Sequence, residues 1–311
     1  MKTNYPESPC FRLSFLAPRY WGTWVLAGIL GLCVLLPRPW VLALGRQIGR
    51  LFFRRNQKRV RIARINLAWC FPDQDEAARE AILHEHLACY GQAILDLGLV
   101  WWAPRSRLDR LCSIHGEAEL QALQRSGEKT LLIIPHVLGI DMAGAALARL
   151  GSGTSMMKSP SNPLLNWRLW QGRSRFGAQI FMRDQGLRPL VKAIRAGRVG
   201  YLMPDEDLDH AHSVFAPFFG VSTATLPVVG RVAKMTGAKV IPVFCRLDRN
   251  GRYHVTLGPA LSGFPENDAV ADATAVNAAF EVGIRSAPEQ YLWTLRWFRT
   301  RPNGEHSPYD T

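Results

Sequence analysis

An apolar run ends in a proline, a histidine and, five residues on, an aspartate: residues 131–144 read LLIIPHVLGIDMAG, with His136 and Asp141 as the polar pair. Imidazole is the side chain that most readily exchanges a proton near neutral pH. A carboxylate bonded to one ring nitrogen fixes the tautomer whose other nitrogen is a free base. The spacing places Asp141 on the first turn of a following helix, within reach of that ring. Such a pair can deprotonate an alcohol with no serine or cysteine nucleophile. A histidine and an aspartate five apart also occur by chance, as a solvated turn, so the rest of the chain has to decide.

A second polar loop, MPDEDLDHAH at 203–212, also follows an apolar run. Asp205, Asp207, Asp209, His210 and His212 are potential metal ligands. Side chains so close in sequence seldom converge on one ion, and no second ligand cluster accompanies them. The preferred reading is a loop whose leading carboxylate meets a substrate or an arginine, with no metal. Of the basic residues in this half of the chain, Lys158 and Arg183 follow strand-like runs and point toward the same edge as His136, where a phosphate-bearing substrate would use them.

The elements that must position these groups begin at Thr130. Short apolar runs at 130–135, 154–157, 179–182, 199–203, 239–246 and 253–257 read as strands. Amphipathic stretches at 140–150, 163–176, 187–196, 225–236 and 268–286 read as helices. That alternation predicts an α/β sandwich with a largely buried sheet, whose active groups sit at strand C-termini. Residues 73–125 read as helical, capped by Asp73 or Asp75 and ended by Pro104.

The N-terminal quarter is different. Of the chain's 311 residues, 38 are Lys or Arg and 25 Asp or Glu, giving +13; between Ser8 and Pro72 there are 11 basic residues and no acidic one. A composition with 48% hydrophobic residues excludes a disordered chain. The one-ended charge suggests an anionic surface, phospholipid or nucleic acid. Within it, 20–37 is charge-free, about 27 Å long as a helix, with Tyr20, Trp21 and Trp24 at one end. It reads as a membrane-anchoring helix with its C-terminal side in the cytoplasm. Lys2, Arg12 and Arg19 lie before it and nine basic residues follow, in a basic amphipathic arm at 38–72 that grips anionic lipid. A buried core helix is the alternative. Six scattered cysteines with no C-x-x-C pair read as reduced thiols.

Six blocks in order, PRYWGTWVLAG, INLAWCFPD, PHVLGID, SNPLLNW, MPDEDLDHAHSVFAPFFGV and PEQYLWTLRWFRTRP, resemble the lipid A secondary acyltransferases of the bacterial inner membrane. This family sits within the glycerophosphate acyltransferase-like superfamily, and the likeness runs from about Phe15 to Arg301. The resemblance implies an HX4(D/E) dyad at His136, the general base, and Asp141, which orients it. It implies a substrate-side arginine at Arg173, and a P-D-x-D aspartate at Asp205 with Asp207 beside it. Where family members have Tyr-Arg-Pro, this chain has MMKSP, so Lys158 keeps the charge but not the bidentate fork.

The implied fold is a mixed sheet flanked by helices behind an N-terminal anchor. The implied division is 1–19, the anchor at 20–37, the arm at 38–72 and an acyltransferase domain at 73–311, with its helical entry at 73–125 and α/β core at 126–300. The implied reaction moves a fatty acyl chain from acyl-acyl carrier protein to a hydroxyl of a hydroxyacyl chain on a Kdo-bearing lipid A precursor. It needs no cofactor and no nucleic acid, and takes place at the phospholipid surface of the inner membrane, on the cytoplasmic side. Two rivals are a glycerophospholipid acyltransferase, which the C-terminal block argues against, and a non-catalytic adaptor, which leaves His136 and Asp141 without a purpose.

Overall fold

The computed structural model describes residues 9–310; Lys2 and the rest of the first eight residues lie outside it. Five helices come first: α1 (Trp21–Leu35), α2 (Arg38–Arg55), α3 (Gln57–Cys70), α4 (Glu76–Trp102) and α5 (Arg105–Leu111). Strand β1 (Cys112–His115) and α6 (Glu117–Arg125) follow, then β2 (Thr130–Ile133), α7 (Ile140–Leu147), β3 (Gly153–Met157), α8 (Pro163–Ser174), β4 (Gln179–Met182), α9 (Arg188–Arg195) and β5 (Val199–Leu202). The chain ends through β6 (Val214–Phe218), β7 (Val221–Thr225), α10 (Val228–Thr236), β8 (Lys239–Leu247), β9 (Tyr253–Leu257) and α11 (Ala269–Ser286).

Seven strands form one sheet in the order β1-β9-β8-β2-β5-β3-β4, and β6 and β7 form a separate hairpin. All pairs in the large sheet are parallel except β8 with β9. Right-handed crossovers send α7 and α8 to one face and α9 and α10 to the other, because the strand order reverses direction at β4. Leu131, Leu132 and Ile133 are fully buried, as a two-faced sheet requires. The mixed α/β sandwich foreseen from the alternation is present, with strand and helix bounds moved by a few residues.

Three features depart from the sequence reading. The first is β1, which lies inside the stretch read as all helix. Its four residues, CSIH, pair in parallel with β9 at the sheet edge and are too few to show a two-residue period. The second is the hairpin of β6 and β7, whose strand around Pro217 gave no apolar alternation.

The third is the anchor. Residues 18–20 form a 3-10 turn and Leu36 is extended before Pro37, so α1 keeps 15 residues. That is roughly 22 Å, short of a hydrocarbon core of about 30 Å. One face of α1 (Ala27, Leu30, Cys33, Val34) is buried against α4. Among the described residues no helix is long and apolar enough to cross a membrane, so the single-pass reading of 20–37 is replaced by a helix docked on the domain.

The basic arm is also partly consumed by the fold. Arg38 grips Asp96 through Nη1 at 2.5 Å and Nη2 at 2.8 Å, and Arg46 and Arg64 make bidentate pairs with Glu85 and Glu80 of α4. Gly45 and Gly49 let α2 press onto α4 at Gly91, where a side chain would strike backbone. Helix α3 buries Val60, Ala63 and Leu67, and its Asn66 donates to the carbonyls of Trp293 and Leu295. As foreseen, Asp75 caps α4, accepting from Ala78 N at 2.7 Å.

Helix α4 also holds a buried histidine, His86, with 0% exposure. Its Nδ1–H donates to Glu289 O at 3.0 Å, leaving Nε2 bare and without a partner. Burial pushes its pKa down from 6.5 to about 4. The unfolded chain therefore binds the extra proton first. This contribution to stability is complete above pH 6.5 and is lost as pH falls toward 4. Between pH 7 and pH 5 the loss is about 2 kcal/mol. Urea midpoints should show that sensitivity in the native chain and a smaller one in His86→Gln.

Candidate active site

His136 and Asp205 meet because of the sheet register. Ile133 of β2 stands opposite Leu202 of β5, and Ile134 N donates to Leu202 O, extending the pairing. Three residues beyond that rung on each strand come His136 and Asp205, at the C-terminal edge where α/β folds place their ligands. Asp205 accepts from both ends of the histidine: the backbone N–H reaches Oδ2 at 2.8 Å and the ring Nδ1–H reaches Oδ1 at 2.6 Å. Tyr291 O–H donates to the same Oδ2 at 3.1 Å.

The pairing leaves Nε2 of His136 as the free base. Burial of the ring works against its charged form, but the adjacent Asp205 carboxylate outweighs this and holds the pKa above the ordinary 6.5.

The C-terminal segment fastens this turn from outside. Leu292 N donates to His136 O at 2.9 Å and Leu138 N to Gln290 O at 2.8 Å. Trp297 lies with its ring centroid 5.9 Å from that of His136, and Tyr291 stacks on Trp297 at 4.8 Å. None of Tyr291, Gln290 and Trp297 had been singled out as a site residue. Their signal was the aromatic density of YLWTLRWF, which carries no spacing that points to His136.

The remaining candidates are distributed as follows. Asp141 does not bond His136; it stands on the first turn of α7 and pairs with Arg173 at the end of α8. The bond to the ring expected of Asp141 is made by Asp205, because the ring's Nδ1 faces the β5 loop and not the helix. Asp207 is buried and accepts from Thr300 N at 2.7 Å, tying its loop to the C-terminal segment away from the imidazole. Arg183 pairs with Glu206 at 2.6 Å. Lys158 is exposed just past the end of β3. In the polar loop, Asp209 turns back onto His212. Among the described residues no group of three or more His, Cys, Asp or Glu is placed to hold a metal ion.

Next to the strand ends that carry His136 and Asp205, a pocket open to solvent lies against the sheet. Ile134, Met157 and Met203 line it near the C-terminal strand ends, and Gly153, Ala148 and Ala178 at the opposite ends. The length follows β3, about 13 Å for its five residues. Its lining is apolar apart from a few small polar groups, and Asp141 and Arg173 are the two charged residues in it. A free base next to a long apolar slot is what acyl transfer onto a hydroxyl needs: one group to take a proton, one space to hold a hydrocarbon chain.

The chain also resembles known proteins over nearly its whole length. The family model described as bacterial lipid A biosynthesis acyltransferase matches residues 8–300. A lipid A biosynthesis myristoyltransferase of Escherichia coli (strain K12) is 33% identical over 99% of this chain and 96% of its own length. A lipid A biosynthesis acyltransferase of Haemophilus influenzae is 35% identical over 95% of this chain and 93% of its own. A lipid A biosynthesis lauroyltransferase of the same E. coli strain is 32% identical over 99% of this chain and 100% of its own. With the match covering nearly the whole chain, this chain is an acyltransferase and belongs to the bacterial lipid A biosynthesis acyltransferase family.

Proposed function

We propose that the enzyme transfers a fatty acyl chain from an acyl-acyl carrier protein thioester to the hydroxyl of a hydroxyacyl chain on a Kdo-bearing lipid A precursor. The observation that carries this reading is the His136–Asp205 pair beside the apolar slot. His136 Nε2 removes the acceptor's hydroxyl proton as its oxygen attacks the thioester carbonyl, and Asp205 holds the ring and balances the imidazolium. The slot takes the donor's hydrocarbon chain. Lys158 and the Arg183–Glu206 pair rim the same sheet edge, and a phosphorylated sugar lipid offers them its charge.

Contact with the membrane, on this reading, comes from α1 and α2 lying along one leaflet. Trp21, Val25, Ile29 and Leu32 of α1 and Trp40, Leu51 and Phe52 of α2 are exposed. Arg50, Arg54, Arg55 and Lys58 are exposed next to them. Apolar side chains at that density suit the acyl boundary, with the cations at anionic headgroups. The phospholipid surface is then the cytoplasmic leaflet of the inner membrane, where carrier protein is available.

The test is a side-by-side assay of the purified enzyme in vesicles. Acyl carrier thioesters are offered with a Kdo-bearing lipid A precursor or with a lysophosphatidate. Acylation of the first acceptor is expected. Acylation of the lysophosphatidate alone makes the enzyme a glycerophospholipid acyltransferase. Chain length is read in the same assay. Ala178→Phe fills the far end of the slot, and should turn preference toward shorter chains by about 10- to 200-fold per methylene excluded. An unchanged chain-length profile would place the acyl chain elsewhere.

A further inference from the structure

Asp141 makes no bond to His136, yet its carboxylate is fully engaged. Oδ1 accepts from Arg173 Nε at 2.6 Å and Oδ2 from Nη2 at 3.2 Å. This fork fixes the guanidinium plane and leaves Nη1 over. The two side chains are the charged members of an otherwise largely apolar lining. Arg173 and Asp141 share the slot's lining with Ile134 and Met203, which lie two residues before His136 and Asp205 on their strands. A cation therefore stands where the slot runs up to the strand ends that carry the imidazole, and its charge opposes the imidazolium. On the acyl-transfer reading, a thioester whose chain fills the slot brings its carbonyl to that end. The other basic residues on this edge are placed differently, since Arg183 is paired with Glu206 and Lys158 is exposed beyond β3.

We propose that Arg173 is a catalytic residue that stabilises the oxyanion through Nη1, and that Asp141 is the positioning residue of Arg173 and not the partner of His136. This rests on the acyl-transfer reading above. In the step, the acceptor O–H proton passes to His136 Nε2 and a new C–O bond forms at the thioester carbon. The carbonyl π pair moves onto oxygen, facing Arg173. Collapse restores the C=O bond and breaks C–S, and the thiolate leaves with the proton from His136. A guanidinium already fixed by Asp141 meets the developing charge with no reorganisation, which is where such donors gain their effect.

The experiment uses the full chain in vesicles and compares Arg173→Ala, Asp141→Asn and the double variant, each checked for a native melting transition. Arg173→Ala should lower kcat by about 10²–10³ with little change in KM for the thioester. Asp141→Asn, which leaves the arginine unheld, should lower kcat by about 10². The double variant should be no slower than Arg173→Ala, since Asp141 has nothing left to position. Added guanidinium ion should restore part of the rate to Arg173→Ala and none to the double variant. Arg173→Gln repeats the comparison should the alanine variant fail to fold.

A double variant far slower than Arg173→Ala would return Asp141 to His136 and overturn the assignment. A rise in acceptor KM with kcat intact would make Arg173 an acceptor-binding group instead. Failure of the underlying reading looks different: the unmodified enzyme would then leave the lipid A precursor unacylated in the side-by-side assay.

Discussion

Replacing His136 by alanine should lower kcat by about 10²–10⁴ while the melting transition and vesicle binding stay native. The ring's Nε2 is directed away from Asp205, and the two carboxylates nearby are engaged, Asp205 with the ring itself and Asp141 with Arg173. The fold is expected to tolerate the change because the turn is held by backbone bonds to Gln290 and Leu292 that alanine keeps. The pH dependence follows from the sign of the shift. Asp205 holds the pKa of His136 above 6.5, and only the neutral ring can accept a proton. kcat/KM should therefore rise with pH through a limb lying above 6.5, and His136→Ala should lose that limb. A folded His136→Ala enzyme with near-normal turnover would end the mechanism.

The second large effect belongs to Asp205. Its Oδ2 receives two donors, the His136 N–H and the Tyr291 O–H. In Asp205→Asn this position must remain the oxygen, so the amide nitrogen is forced to face Nδ1. An N–H donor there accepts no proton from the ring and turns it to the tautomer with Nε2 protonated. The base is blocked although the geometry is intact. In serine proteases the equivalent exchange lowers kcat about 10⁴-fold, and a loss of that order is expected here. Tyr291→Phe should give no relief in an Asp205→Asn background, because the His136 N–H alone keeps the amide oxygen at that position. Recovery of activity in that double variant would show that the tyrosine hydroxyl, and not the backbone N–H, sets the amide's orientation.

Much of this was legible in the chain. The alternation from Thr130 onward pointed to an α/β sandwich with a largely buried sheet because its strands are buried on both faces and its helices are amphipathic. The histidine after LLII was found for the same reason, since a polar residue directly beyond a buried strand must emerge at the edge. What could not be read was which carboxylate it meets. Asp141 is five residues away, while Asp205 is 69 residues away in sequence and arrives only through the pairing of β2 with β5. The anchor failed on a related point. Charge-free length between Tyr20 and Pro37 counts residues, but a 3-10 turn at one end and a proline at the other take residues out of the helix, and the packing on α4 lies outside any local pattern. Arg38, Arg46 and Arg64 likewise read as lipid-gripping cations until their partners on α4 were in view.

Which carboxylate's replacement moves the bare nitrogen of His136 decides between the two, and ¹⁵N NMR of histidine-labelled enzyme above the His136 limb reads it directly. The signal is assigned by its loss in His136→Ala. The expected spectrum has Nδ1 protonated and Nε2 bare, unchanged in Asp141→Asn and reversed in Asp205→Asn. A reversal in Asp141→Asn with Asp205→Asn unaffected would contradict the account, and would make Asp141 the partner of the catalytic base.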